Sequence, residues 1–278
     1  MRKLTILAAL LFAAGVYAVA ADEPAATQPA KPEWVDAMKE LHKGFEGTEG
    51  YVAQFGDSIT YSMAFWKCFS WADPDQYIPE DGLPKKPADK RWRDVIKGAG
   101  DEGKGDKAGN YSGWTVGNLL KAVPDVLKTA KPEAAIIMIG TNDARGNKLP
   151  EGYKAGLEKV VQMCLDAKCI PILSTIPPMR GCPDSVAKAN EIIKALAAEK
   201  KLPLVDFHAA VMKYAPDGKW DGTLISGDGV HPSGDKANDF SAENLKASGY
   251  ALRNFVSFMK LREVYFKVLH PEQAKKSE

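Results

Sequence analysis

Two short stretches carry side chains suited to chemistry. The first, YVAQFGDSITY at 51–61, closes an apolar run with Gly56, Asp57 and Ser58. A serine there either caps a helix, its hydroxyl satisfying an orphan backbone N–H, or stands as a nucleophile at the carboxyl end of a parallel strand, where α/β folds put their ligands. The second, DGVHP, sets Asp228 and His231 three residues apart far down the chain. Between them lie SGWT, in which Gly113 opens a helix-period segment, and GTND, in which Gly140 closes an apolar run ahead of Thr141, Asn142 and Asp143. A hydroxyl, an imidazole, a carboxylate to orient it and donors for an oxyanion are the parts of an acyl-transfer site. Each fragment is weak alone. All four occur in a sensible order at expected strand ends or loops.

The elements that must position them follow from periodicity. YVAQF (51–55), AAIIMIG (134–140), IPILST (170–175) and LPLVDF (202–207) are short apolar runs of the kind parallel strands show when both sheet faces are covered. A short further strand is expected near 105–110. Helix-period segments fall at 33–45, where Trp34, Met38, Leu41 and Phe45 make one apolar stripe, and at 115–130, 151–168, 184–200 and 241–268. Strands alternating with helices indicate βαβ units. The expectation is a three-layer α/β/α sandwich around a doubly wound parallel sheet of about five strands. The segment 62–112, rich in Pro, Lys, Asp and Gly and holding Trp66, Trp71 and Trp92, fits this rhythm least.

Composition narrows the partners. The chain has 278 residues, 45% apolar and 26% charged, ordinary values for a globular chain that buries a core. With 37 Lys and Arg against 36 Asp and Glu and no basic block, nucleic acid is not an expected partner. Residues 1–21 open with Arg2 and Lys3, continue as an apolar run and end in Ala18-Val19-Ala20, the form of a cleavable secretory signal rather than a span of roughly 20 apolar residues. Export, periplasmic or extracellular, with no stable membrane span after cleavage, is the expectation. Residues 22–32 read as a flexible leader, 33–270 as one domain and 271–278 as a tail. Cys68, Cys164, Cys169 and Cys182 then meet an oxidising compartment, and Cys164–Cys169 is the first pair expected to bridge, although four cysteines allow three pairings. Neither C-x-x-C nor a nearby histidine pair accompanies them, so no metal site is expected.

The motifs resemble those of the SGNH, or GDSL-type, hydrolase family, over about residues 50–262. The family comprises esterases, lipases and deacetylases on a flavodoxin-like α/β/α sandwich. The resemblance implies that Ser58 in GDSIT is the nucleophile, that Asp228 and His231 in DGVHP complete the triad, and that the Ser58 N–H, the Gly113 N–H in SGWT and the Asn142 amide in GTND bind the oxyanion. No metal or cofactor is implied. The long 59–112 connection departs from the family pattern.

Each residue also has a plainer reading. Asp228 can brace the turn made by Gly227 and Gly229, Asn142 can be a turn residue, and His231 a surface histidine. Asp57 is expected to cap or brace its turn rather than react. His42, His208 and His270 sit in no motif. Trp66, Trp71 and Trp114 lie beside the motifs and are candidates for stacking on sugars or packing on acyl chains, or else core residues. The polar 62–112 segment points to a short acyl, acetyl foremost, on a carbohydrate or other small polar alcohol. The alternatives are an O-acetyltransferase using the same site, a lipase or lysophospholipase, and a non-catalytic carbohydrate-binding module. The last should have lost Ser58, Asp228 or His231, and all three are present.

Overall fold

Runs that are apolar on both faces can enter a sheet only where helices cover it on both sides. The computed structural model describes residues 32–274, and in them β1 (Thr48–Gly56), β2 (Pro132–Met138), β3 (Ile170–Ser174) and β4 (Leu204–Val205) form a parallel sheet in that order. β2 and β3 are buried at every residue. The register pairs Gly56 with Met138 and Ser174 with Val205, so the carboxyl ends of the strands converge on one edge. The expected signal segment 1–21, the leader up to residue 31 and the last four residues lie outside the described residues.

The helices in chain order are α1 (Trp34–His42), α2 (Ser58–Tyr61), α3 (Trp92–Val95), α4 (Val116–Thr129), α5 (Tyr153–Asp166), α6 (Pro183–Glu199), α7 (Phe207–Tyr214), α8 (Gly249–Val264) and α9 (Pro271–Ala274). α4 and α5 pack on each other and over β1 and β3; α1, α7 and α8, with the π-turn Tyr265–Leu269, form a second group that reaches β3 and β4. The result is the three-layer sandwich. No helix among the described residues is long and apolar enough to cross a membrane.

Four expectations are corrected. The fifth strand is reduced to two parallel bridges, Tyr51 with Lys97 and Gly56 with Asn110, on the edge of β1 that β2 leaves free. Between them the chain turns through Gly98, Gly105 and Gly109, all at positive φ, and residues 106–108 form a 3₁₀ turn where a strand was expected. The helix expected over 241–268 begins only at Gly249, because the Ser248 hydroxyl caps it by accepting from Ala251 N–H. Cys68, Cys164, Cys169 and Cys182 are all buried free thiols, so the Cys164–Cys169 bridge is not formed; Cys169 N–H donates instead to Cys164 O (2.9 Å) in the turn that ends α5. Of the expected tail, 271–274 are helical, and Gln273 Oε1 accepts from Ala88 N–H (3.0 Å).

The 62–112 insertion buries much of its aromatic content despite its polar composition. Phe65, Trp66, Phe69, Ile78 and Trp92 are buried. The Trp66 and Phe69 rings lie 4.6 Å apart, and Phe69 and Trp92 each meet Phe258 of α8 at 5.1 and 5.0 Å. A buried guanidinium adds specificity to this contact: Arg262 of α8 donates to both Asp81 carboxylate oxygens (2.7 and 2.8 Å) and to the carbonyls of Leu83 and Pro84. The hydrogen bonds from Arg262 hold the Asp81 carboxyl below the usual range, against a smaller opposing effect of burial. A group whose pKa falls on folding contributes stability above its unfolded pKa of about 3.9 and loses it as pH falls through the folded value. Asp81→Asn should therefore cost about 1–2 kcal/mol at pH 7, the scale of a charge-assisted hydrogen bond to a group that is partly exposed, and the gap in denaturant midpoint from wild type should narrow below about pH 4.

Candidate active site

The site begins where β1 ends. A side chain at Gly56 would collide with the Met138 carbonyl of β2 and with Thr60, so only glycine lets the chain turn there. Asp57 caps α2, its Oδ1 accepting from Ile59 N–H (3.0 Å), and this leaves Ser58 as the first helical residue rather than the cap. Its N–H is one of the four that a helix start leaves without an intrahelical acceptor. Asp57 is fully buried, and burial raises its pKa against the opposing effects of the Ile59 N–H and the Arg253 charge.

Ser58 Oγ lies 2.8 Å from His231 Nε2, and His231 Nδ1 lies 2.5 Å from Asp228 Oδ2. Asp228 Oδ1 takes three more donors: Ser226 Oγ (2.7 Å), Val230 N–H (2.9 Å) and His231 N–H (3.0 Å). The carboxylate thus both braces the glycine turn and holds the imidazole. Burial works to raise its pKa, but the bonds from the His231 ring, the two backbone N–H groups and Ser226 outweigh it and hold the carboxyl below the usual range. Arg180 pins the same loop. Its backbone N–H donates to Gly229 O (2.9 Å), while its guanidinium reaches Gly227 O (3.1 Å) and both oxygens of Asp221.

The other two motif residues meet at a neighbouring corner. Asn142 Nδ2 donates to Trp114 O (2.9 Å), and its Oδ1 accepts from Arg145 Nε (3.0 Å), which fixes the amide orientation and leaves a second Nδ2 hydrogen. Gly113 is exposed at φ +78, a conformation that glycine adopts without strain. The buried Asp143 carboxylate accepts from Val116 N–H (3.0 and 3.3 Å), tying the GTND corner to the start of α4. Burial is the main cause that pushes its pKa up to about 6. Among the described residues no group of three or more His, Cys, Asp or Glu is placed to hold a metal ion.

Of the tryptophans singled out by sequence, Trp66 is corrected: it is fully buried, its ring spent on the aromatic core. Trp71 is 49% exposed, and Trp114 is half-buried beside Gly113. Sequence reasoning missed Arg180, Lys104 and Arg253. The last two grip the far end of α2: Arg253 donates to Ile59 O (2.7 Å) and Thr60 Oγ1 (2.8 Å), and Lys104 to Thr60 O (2.7 Å), Phe65 O (2.9 Å) and Gln54 Oε1 (2.8 Å). No motif surrounds either cation, and only the fold reveals them.

A parallel sheet whose first strand delivers a serine to a histidine–aspartate pair is an arrangement of serine hydrolases. The chain belongs to the GDSL-like lipase/acylhydrolase family, whose model matches residues 55–235. Solved structures share the fold, among them the following three. A protein described as lipolytic, of the G-D-S-L family, from Desulfitobacterium hafniense is 18% identical at a TM-score of 0.53, over 76% of this chain and 99% of that one. A lipase/acylhydrolase from Enterococcus faecalis is 19% identical at 0.52, over 77% and 95%. An acetylxylan esterase from Geobacillus stearothermophilus is 18% identical at 0.51, over 78% and 96%. No curated protein matches the chain in sequence.

Burial, followed by the Arg253 charge, pushes the Lys104 pKa down to about 7, well below its ordinary 10.5. Between those values the unfolded chain holds a proton that the folded one has released, so this residue makes stability rise with pH. Wild type should gain thermal stability relative to Lys104→Met as pH is raised from about 7 to 10, read from paired melting curves.

Proposed function

We propose that the chain is an exported esterase that removes short acyl groups, acetyl foremost, from a carbohydrate or similarly polar alcohol through an acyl-serine. The carrying observation is the unbroken relay from Ser58 Oγ through His231 to Asp228, at 2.8 and 2.5 Å. In this reading His231 Nε2 takes the Ser58 proton as Oγ attacks the ester carbonyl, and then delivers it to the departing alkoxide. Asp228, ionised because four hydrogen bonds favour its charge, keeps the Nδ1 proton in place and stabilises the imidazolium. The Ser58 N–H, the Gly113 N–H and the second Asn142 Nδ2 hydrogen take the negative charge of the tetrahedral intermediate. Water, deprotonated by His231, then frees the acid from Ser58.

One feature supports the substrate class. Phe65, Trp66, Phe69 and Trp92 are turned into the core, so these residues of the insertion offer no apolar tunnel to a long acyl chain. Export is supported by Arg2-Lys3, the apolar run and Ala18-Val19-Ala20.

Ser58→Ala should lower kcat on p-nitrophenyl acetate by at least about 10⁴ without loss of folding, and a fluorophosphonate should label Ser58 in wild type. Wild-type turnover in that variant would sink the mechanism. Asp228→Asn should lower kcat by roughly 10³–10⁴, since the neutral amide no longer fixes the ring tautomer. Across p-nitrophenyl acetate, butyrate and palmitate, kcat/KM should fall with chain length; a rise would make the enzyme a lipase.

A further inference from the structure

We infer a subsite for the sugar chain of a neutral polysaccharide, running from the serine along Tyr61, Tyr111 and Trp114 into a cleft beside α4; it rests on the esterase reading above. Tyr61 stands three residues after Ser58 on α2, so the two share one helical face. Its ring meets Tyr111 at 5.1 Å, and Tyr111 meets Trp114 at 6.3 Å. Backbone bonds hold this row against the site: Tyr111 N–H donates to Gly56 O, Trp114 N–H to Tyr111 O, and Trp114 O accepts from Asn142. The row therefore spans the gap between the serine helix and the Gly113–Asn142 corner. Tyr111 is 45% exposed, one of the few large aromatic residues left open among the described residues.

Beyond Trp114 opens a cleft of about 600 Å³, within the range of ligand sites. Asn118, Lys121 and Asp125 of α4 line it at helical spacing, and Asp106 and Lys107 of the 3₁₀ turn line it as well. A pyranose presents an apolar C–H face and a rim of hydroxyls that both donate and accept. An aromatic row beside amide, carboxylate and ammonium groups matches both features. An acyl chain would leave these polar groups desolvated without partners, at a cost. The charges also choose: two carboxylates and two ammonium groups line the cleft, so it favours neither an anionic nor a cationic chain.

The test uses the full chain carrying Ser58→Ala, which separates binding from turnover, with soluble acetylated xylan, glucomannan and cellulose acetate as probes, titrated calorimetrically. At least one should bind, and Tyr111→Ala or Trp114→Ala in that background should weaken it about tenfold each, the loss of a contact of roughly 1.4 kcal/mol. In otherwise wild-type protein the same substitutions should lower kcat/KM on the bound polysaccharide about tenfold relative to kcat/KM on p-nitrophenyl acetate. Binding without hydrolysis would keep the subsite and remove the esterase reading. Hydrolysis of p-nitrophenyl acetate with no binding of any of the three polymers, or an unaltered ratio in both variants, would overturn the subsite and leave the esterase standing. Selective loss of activity on p-nitrophenyl octanoate would also overturn it, because the row would then hold an acyl chain.

Discussion

The serine sits on one turn of helix, Ser58–Tyr61, and one turn cannot hold itself: a helix this short fixes more dihedrals than its own hydrogen bonds repay. Its ends must be held from outside. Asp57 takes the Ile59 N–H at the start, while Arg253 and Lys104 take the Ile59 and Thr60 carbonyls at the finish. The Arg253 charge at the carboxyl end also matches the polarity of the peptide dipoles. The turn that carries Ser58 is thus positioned by groups that do not touch its hydroxyl, while the contact with His231 Nε2 aims it.

Such a clamp needs charges where charges are costly, and the surroundings show how the cost is limited. Arg253 lies with its guanidinium 3.5 Å from the Phe65 ring centroid, an arrangement in which the ring face partly replaces lost water. Asp57 and Asp143 are both buried near the strand ends, and each is taken up by backbone N–H groups at a helix start, Ile59 and Val116. The negative groups therefore sit where oriented N–H donors already point. The insertion closes this region from behind, with Trp66, Phe69 and Trp92 packed on α8, the same helix that supplies Arg253. Packing and site geometry share one helix.

What the sequence revealed and what it hid divide along the range of the interactions. β2 and β3 were legible because strands covered on both faces read as near-continuous apolar runs, interrupted in β2 by Glu133 at its start. The motif residues were legible because local turn residues mark each position, Gly56 before Asp57 and Gly227 and Gly229 around Asp228, although the bond that joins Ser58 to His231 crosses 173 residues. Arg253 and Lys104 were not, since the bonds that define them cross 194 and 44 residues. Trp66 stayed open between site and core because a buried and a binding tryptophan look alike in a string of letters. The run LPLVDF read as a full strand, yet only Leu204 and Val205 pair, because Asp206 caps α7 by accepting from Ala209 N–H and takes the chain out of the sheet.

The broken outer strand has a consequence for how the molecule keeps to itself. An exposed strand edge is a template on which another chain can add itself. Lys97 and Asn110 touch β1 at two separated points, Val52 N–H is taken by Lys97 O, and the Gln54 carbonyl accepts from the Asn110 side chain. The loop between those points curls away through glycines rather than running straight. An incoming strand would find no uninterrupted row of donors and acceptors, either on β1 or on the loop that shields it, so the irregular border serves as a stop against sheet growth from one molecule to the next.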